Sequence, residues 1–327
     1  MFRSLHLSQD GHLRMDLNSM DIAFALQDLQ GVLWVDFEST TPETDEPILQ
    51  KTFGFHPLAI DDALKQTHVP RVDDWGQYLY IVSQAITFDP INIGLETLEL
   101  DIFIGKNYIV THHDQPIEAI TRTWTAIQRD ERHLRHGSDH LLYRILAEVV
   151  AGYMPVVENL DTQIDKLEEQ IFNQSNSDTL QGIFVLKRAV LNLRRIIDPQ
   201  REVLNRLARD DYANIDANER VYFRDVYDHL VRLHDLTETI RDLVSGSMDT
   251  HLSMTNNRMN EIMKTLTIIT TLFMPLSFLV GFFGMNFFVP LKPLWVWVTK
   301  PVFIITLLIT LMTPFTMYFW MRKRGWM

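Results

Sequence analysis

Hydrophobic and polar positions change their period twice along the 327-residue chain. Up to about residue 135 short stretches with a period near two alternate with helical ones. Residues 31–37 (GVLWVDF), 78–88 (YLYIVSQAITF), 97–105 (TLELDIFIG) and 107–113 (NYIVTHH) place β-branched and aromatic side chains at alternating positions and predict strands. Gly105-Lys106-Asn107 predicts a tight turn between the last two. Residues 56–65 (HPLAIDDALK) and 115–129 (QPIEAITRTWTAIQR) have helical spacing. An α/β domain with a mixed sheet is expected over residues 1–138.

From Asp139 the strand pattern disappears, and an amphipathic helical pattern runs to Phe172 and stops at the polar stretch 173–177 (NQSNS). Asp178 is placed to cap a second helix reaching about Arg209. Residues 210–214 (DDYAN) break that helix, and a third starts near Asn218 with no proline before Pro275. Unbroken from Glu219 to Phe283, it would measure about 100 Å at 1.5 Å per residue. No small domain buries such a length, so residues 139–264 are expected to form a helical stalk packed on copies of itself or on other helices.

Two uncharged apolar runs end the chain, residues 265–283 (TLTIITTLFMPLSFLVGFF) and 301–321 (PVFIITLLITLMTPFTMYFWM). Each is long enough to cross about 30 Å of hydrocarbon as a helix. Residues 265–327 are therefore expected to form a transmembrane hairpin with a connecting loop at 284–300. The fold class is α+β: an α/β domain, a helical stalk and a membrane hairpin.

Charge separates the same regions. All 42 acidic residues lie at or before Glu261, whereas six of the 30 basic ones lie after it, so the net charge of −12 divides into −18 and +6. A part this acidic disfavours nucleic acid as a partner and favours cations. Arg258 and Lys264 before the first run and Arg322-Lys323-Arg324 after the second outnumber Lys292 and Lys300 between them. The positive-inside bias then puts both termini in the cytoplasm and the loop outside, in a multi-pass protein of the cell membrane. The first 17 residues lack an apolar core of signal-peptide length, and export of the first 260 or so is not expected. The absence of cysteine excludes disulfides and thiolate metal sites.

Stepping back by three and four from Gly281 gives Ser277, Met274, Thr270, Thr267, Met263, Asn260, Asn256 and Ser253. This face is small, hydroxylic or amidic, with methionine at two levels. The other faces carry Leu266, Ile268, Ile269, Leu272, Phe273, Leu276, Phe278 and Leu279, which suit lipid or neighbouring helices. In one isolated helix such hydroxyls commonly do no more than pack and bond their own backbone. Repeated around a ring of identical helices, each level would be a ring of neutral oxygens, with the methionine levels as an apolar constriction. No carboxylate lies within the run, which suits an ion that keeps its water. Mg²⁺ releases water reluctantly and holds oxygen at about 2.1 Å, giving a hexahydrate roughly 7 Å across. Asn286 at the mouth would bind that outer shell through its amide donors and acceptor.

Gly284-Met285-Asn286 after TLFMPLSFLVGFF, with YFRDVYDHLVRLHDLTETIRDLVSG (222–246) and NEIMKTLTII (260–269), resembles the CorA family of divalent-cation channels. HPLAIDDAL and VPRVDDWGQYLYIV resemble it too, so the match covers nearly the whole chain. The resemblance implies a homopentamer with a cytoplasmic α/β funnel, and a stalk helix that becomes the pore-lining span. It implies transport of Mg²⁺, often with Co²⁺ or Ni²⁺. Gly284, Met285 and Asn286 would form the selectivity ring, and Asn260, Met263, Leu266, Thr270, Met274 and Ser277 would line the pore. Asp225 matches an acidic residue that binds regulatory Mg²⁺ between subunits, and Asp89 its partner. Bound Mg²⁺ would offset their repulsion and favour the closed ring. Unlike many family members, this chain has no acid in the loop after the motif.

A zinc-transporting branch of the superfamily shares the hairpin and stalk, usually with a different central residue in the motif. His133, His136 and His140 fall at helical intervals, but Gly137 lies among them; His112 and His113 project to opposite faces of a strand and read as structural. A membrane-anchored enzyme or scaffold is the other class, yet no Walker-type loop, HExxH or GxSxG element is present.

Overall fold

The structure is a computed structural model that describes residues 2–39, 41–65, 69–89, 93–173, 177–285 and 300–325. Six consecutive residues of strand β3 (Val32–Glu38) are buried, because the strand lies inside a mixed sheet covered on both faces. It pairs in parallel with β7 (Tyr108–His113) and antiparallel with β1 (Phe2–Leu7). A hairpin of β5 (Leu79–Asp89) and β6 (Gly94–Ile104) follows on the β7 side, and the short strands β2 (Leu13–Met15) and β4 (Arg71–Asp74) close the edges in the order β2-β1-β3-β7-β6-β5-β4. The four expected strands are present. The three unexpected ones have physical reasons. β2 and β4 are too short to display a period, and β1 buries Ser4 and His6 along with Leu5 and Leu7, so its polar residues do not mark an outer face. Ser4 is satisfied there because its Oγ accepts from Leu17 N at 2.7 Å.

Helices α1 (Ser19–Ala25), α2 (Pro42–Lys51) and α3 (Pro57–Leu64) follow β2, β3 and α2 in turn. Side chains of all three join one face of the sheet in the core that includes Phe55, whose ring stacks on Phe103 at 4.2 Å. Pro42 and Pro47 hide the helical pattern of α2, although proline at the first helical position is favourable. The other face receives α4 (Glu118–Arg129), α5 (Ser138–Ala151) and α7 (Ser177–Arg209). Trp124 of α4 packs on Trp34 at 4.8 Å, and Gln200 of α7 donates to Ser83 Oγ at 2.9 Å.

The helical pattern from Asp139 to Phe172 is two helices, not one. Gly152 closes α5 through its N–H to Glu148 O at 3.2 Å, and α6 (Met154–Asn173) starts just before Pro155, which has no N–H to continue the first. The Tyr153 hydroxyl donates to Gln84 O and pins this corner to β5. Helix α7 begins at Ser177, so Asp178 lies inside its first turn and not ahead of it.

Helix α8 (Arg220–Gly284) is 65 residues long, as the sequence predicts. Its first half buries Phe223, Val226, Leu230, Leu233, Thr237, Ile240, Val244, Ser247 and His251, alternately three and four residues apart. Each large apolar member contributes about 1.5–3 kcal/mol by leaving water. Polar contacts add direction: Ser247 Oγ donates to Glu168 of α6 at 3.1 Å, and Arg194 of α7 meets Glu238 at 3.0 Å.

Contacts divide the chain into two compact units, Met1–Thr250 and His251–Met327. The second holds the rest of α8 and helix α9 (Lys300–Lys323). Apolar length alone does not identify a span. The apolar window over α5 and α6 is half buried in its own unit and serves as core, whereas the window of α8 is not buried at all and that of α9 hardly.

Candidate functional site

Within its apolar half, α8 carries one half-covered stripe, formed by Ile268, Thr271, Leu272, Pro275, Leu276 and Leu279. At about 100° per residue, the Thr/Ser/Met face lies roughly 140° away from that stripe. Asn260, Met263, Leu266, Thr270, Met274 and Ser277 are all exposed; Met263, Leu266 and Met274 show 59, 62 and 67% of their surface. Helix α9 has a half-covered stripe of its own in Thr306, Thr310, Thr313, Pro314 and Met317, ending on buried Met321.

The two threonine hydroxyls on this face have one committed role each. Thr270 Oγ1 donates to Leu266 O at 2.8 Å, and Thr267 Oγ1 donates to Met263 O at 2.7 Å. With the proton used on the helix's own backbone, each oxygen has only acceptor capacity left to offer outward. Water held on a cation points its hydrogens outward, so an acceptor wall suits a hydrated cation and disfavours a hydrated anion.

Sequence reading missed how far this face extends. Seven-residue steps back from Thr270 pass Met263 and Asn256, then reach Asp249, Asp242, Asp235 and Asp228, all exposed. The signal was present in the sequence as four aspartates at one interval. Gly284 falls in the same series, and Gly246 and Gly281 fall in the interleaved one through Met274, Thr267, Asn260 and Ser253. A Cβ at any of them would meet nothing within 4 Å of this chain. Glycine inside a helix costs about 1 kcal/mol relative to alanine, and no contact within the chain requires it at these points.

Gly284 ends α8 and Met285 follows it, with its N–H on Phe282 O at 3.3 Å. Asn286 lies outside the described residues. Asp225 is exposed one turn into α8, and its charge, second to burial, pushes the Tyr143 hydroxyl of α5 up. Asp89 is the half-buried last residue of β5, opposite Gly94. The two carboxylates therefore sit on different elements of the first unit.

The histidines divide among separate partners. Gly137, at φ +109°, separates His133 in a 3₁₀ turn (Glu131–Leu134) from His140 in α5. His133 Nδ1 accepts from Arg144 at 2.7 Å, and His140 Nδ1 meets Glu219 at 2.9 Å. His113 joins Asp36 and Glu38 in a buried group whose ligand atoms lie within 4.8 Å. Arg3 supplies the positive charge there: it contacts Asp36 at 2.8 Å, beside His113 at 3.2 Å and Thr111 at 2.5 Å. That is an ion-pair network that leaves a metal no vacant carboxylate on Asp36.

Burial pushes the Asp36 carboxyl up, but His113, Thr111 and Arg3 outweigh it and hold it below the usual range. Burial lowers His113, and Asp36 outweighs that to hold it above its usual value. The histidine contribution is fully present below the unfolded pKa of about 6.5 and is lost as pH rises through the raised folded value. Asp36 contributes above about pH 3.9, a stabilisation lost only at lower pH. Thermal unfolding of the full chain, followed from pH 6 upward, should thus show stability falling. His113→Gln should flatten that slope and cost about 3 kcal/mol at pH 6, as removal of one partner of a buried pair does. An unchanged slope would show that the pair does not titrate with folding.

The profile of the CorA-like Mg²⁺ transporter proteins matches residues 29–323. The chain is 33% identical over 310 residues to the cobalt/magnesium transport protein CorA of Thermotoga maritima, covering 88% of this chain and 87% of that protein. It is 28% identical over 301 residues to the protein of the same name from Methanocaldococcus jannaschii, covering 90 and 91%. The solved structure of the M. jannaschii CorA magnesium transporter superposes with a TM-score of 0.83 at 24% identity over 99% of this chain and 98% of that one, which fixes the fold. A long helix exposing hydroxyl oxygens on one side, joined to a mixed-sheet domain and matched from residue 29 to residue 323, places the chain in the family of CorA-like Mg²⁺ transporter proteins.

Proposed function

We propose that this protein conducts hydrated Mg²⁺, and with it Co²⁺ or Ni²⁺, through a pore lined by five copies of α8. One observation carries the reading: an exposed face of outward-accepting oxygens and methionines, continued at the same seven-residue step by four exposed aspartates. The aspartates gather cations at the cytoplasmic end, where their mutual field is strongest. The neutral oxygens then hold the ion's water without binding the ion tightly. Rings of Met263 and Met274, with Leu266 beside the first, form the apolar constriction.

The glycines support assembly. Gly246, Gly281 and Gly284 fall where neighbouring copies of the helix would come nearest the axis. A stripe with a strict period of seven faces one axis only if the helices supercoil, since an ideal helix drifts about 20° per heptad. The partly covered stripes of α8 and α9 pack on each other as the membrane hairpin, with both termini in the cytoplasm and the Gly284-Met285-Asn286 motif at the outer mouth. Residues 1–138 form the cytoplasmic domain, 139–264 the stalk and 265–327 the hairpin. Asp225 and Asp89 of adjacent copies share a regulatory Mg²⁺, so that high internal Mg²⁺ favours the closed ring.

Flux into liposomes containing the purified protein tests this reading. Mg²⁺ entry should follow the membrane potential, exceed Zn²⁺ entry and be unaffected by an imposed pH gradient. Zn²⁺ entry that requires the pH gradient would assign the chain to proton-coupled zinc transport, and no flux of either ion would remove the pore.

A further inference from the structure

The β1–β2 turn, the β6–β7 turn and the segment before α5 enclose an open cleft of about 450 Å³ that the ion pathway does not use. Its volume lies within the range of small-molecule sites, roughly 300–1,000 Å³. Lys106, Arg135 and His136 line it together with Ser8 and Gln30, and Asp10 is its one lining carboxylate. Arg135 also meets Glu131 at 3.2 Å, a surface pair that an incoming anion can replace. Such a concentration of basic groups is conspicuous in a part of the chain that carries 24 basic residues against 42 acidic ones. Gly11 lines the cleft at φ +80°, a left-handed conformation that shapes the β1–β2 turn and favours glycine.

The cleft adjoins the start of the long helix through side chains alone. The His136 ring packs on His140 at 4.9 Å, and His140 holds Glu219 at 2.9 Å and meets Tyr222 edge-on at 5.4 Å. Tyr222 in turn packs on Tyr143, the ring beside Asp225. Whatever displaces His136 therefore acts on the first turn of α8.

We propose that this cleft binds a soluble polyphosphorylated anion and that its occupancy biases α8 through the contact from His136 to His140 to Glu219. The chemistry is that of phosphate recognition. Arg135 supplies a planar donor fork, Lys106 a point charge, and His136 and Gln30 further hydrogen-bonding groups. Nucleoside triphosphates and free polyphosphate both offer several phosphate charges in a body of suitable size. The effect on α8 matters for ion flow only if the chain transports Mg²⁺ as proposed above, whereas binding itself does not depend on that reading.

Calorimetric titration of the full-length protein in EDTA with inorganic phosphate, tripolyphosphate and ATP reads binding without any metal. Saturable binding of tripolyphosphate is expected, weakened about tenfold or more in Lys106→Ala/Arg135→Ala, whose replaced side chains are both exposed. ATP binding tighter than tripolyphosphate would identify a nucleotide as the occupant, and equal affinities would identify the phosphates alone. In liposomes at clamped free Mg²⁺, internal tripolyphosphate should change Mg²⁺ flux in the wild type and not in the double variant. No saturable binding at millimolar concentration, or equal binding by the double variant, overturns the site. Intact binding with unaltered flux in a conducting wild type overturns the coupling, and loss of flux in every sample with binding intact falls on the transport reading instead.

Discussion

Replacement of Asn286 by alanine is expected to reduce Mg²⁺ uptake by about 100-fold or more, with assembly and thermal stability unchanged. A neutral hydrogen bond contributes about 0.5–1.5 kcal/mol net, and the proposed ring of five carboxamides would lose one such interaction from every copy. A loss of 1.4 kcal/mol already corresponds to a factor of ten, so the summed deficit reaches two decades or more. The outer shell of the ion still has to be oriented at the mouth, and alanine offers it neither donor nor acceptor. Asn286→Gln, which keeps both groups on a longer arm, should retain more flux than alanine. Mg²⁺ uptake by Asn286→Ala equal to that of the wild type would remove the motif from the selectivity step.

The second large effect concerns regulation. Asp225→Asn/Asp89→Asn should leave maximal conduction intact and raise the internal Mg²⁺ that half-inhibits flux by about tenfold. Coupling between a regulatory site and a distant gate is typically 1–3 kcal/mol, or about 5–150-fold. On the proposed gating, the ion can shift the ring only by its preference for the closed state, and neutral amides would remove most of that preference. The exposed position of Asp225 on α8 makes its replacement compatible with folding. Inhibition at the wild-type concentration would reject both residues as the sensor, and a fall in maximal flux would place them in the conduction path.

Much of this architecture is legible in the sequence because the long elements repeat a period many times. β5 and β6 each run for 11 residues with β-branched and aromatic side chains along them, and α8 runs for 65. Short elements fail for the opposite reason: β2 has three residues, and β1 has six with Ser4 and His6 buried beside Leu5 and Leu7. The corner at Gly152 and Tyr153 was overridden by the apolar run around it, although glycine followed within three residues by Pro155 is a stop signal. Polar groups are least legible of all. Nothing in the local pattern tells that Asp36, Thr111, His113 and Arg3 converge from three strands, since strand pairing alone brings them together. The cleft at Lys106 and Arg135 was invisible for the same reason. The aspartate ladder of α8 is different, being a purely local period that becomes conspicuous once the buried stripe beginning at Phe223 fixes which face is outward.

The chain contains no cysteine, so single cysteines can be read without background. Cysteines placed in turn at Met263, Thr267, Thr270, Met274 and Ser277, and at Ile268, Leu272, Leu276 and Leu279 on the covered face, should separate cleanly under a membrane-impermeant, positively charged thiol reagent during Mg²⁺ flux. Block is predicted at the first group, slowed by external Mg²⁺, with no block at the second. Block on the Ile268 face, or block without regard to face, would contradict a hydrated-ion conduit lined by the threonines, serine and methionines of α8.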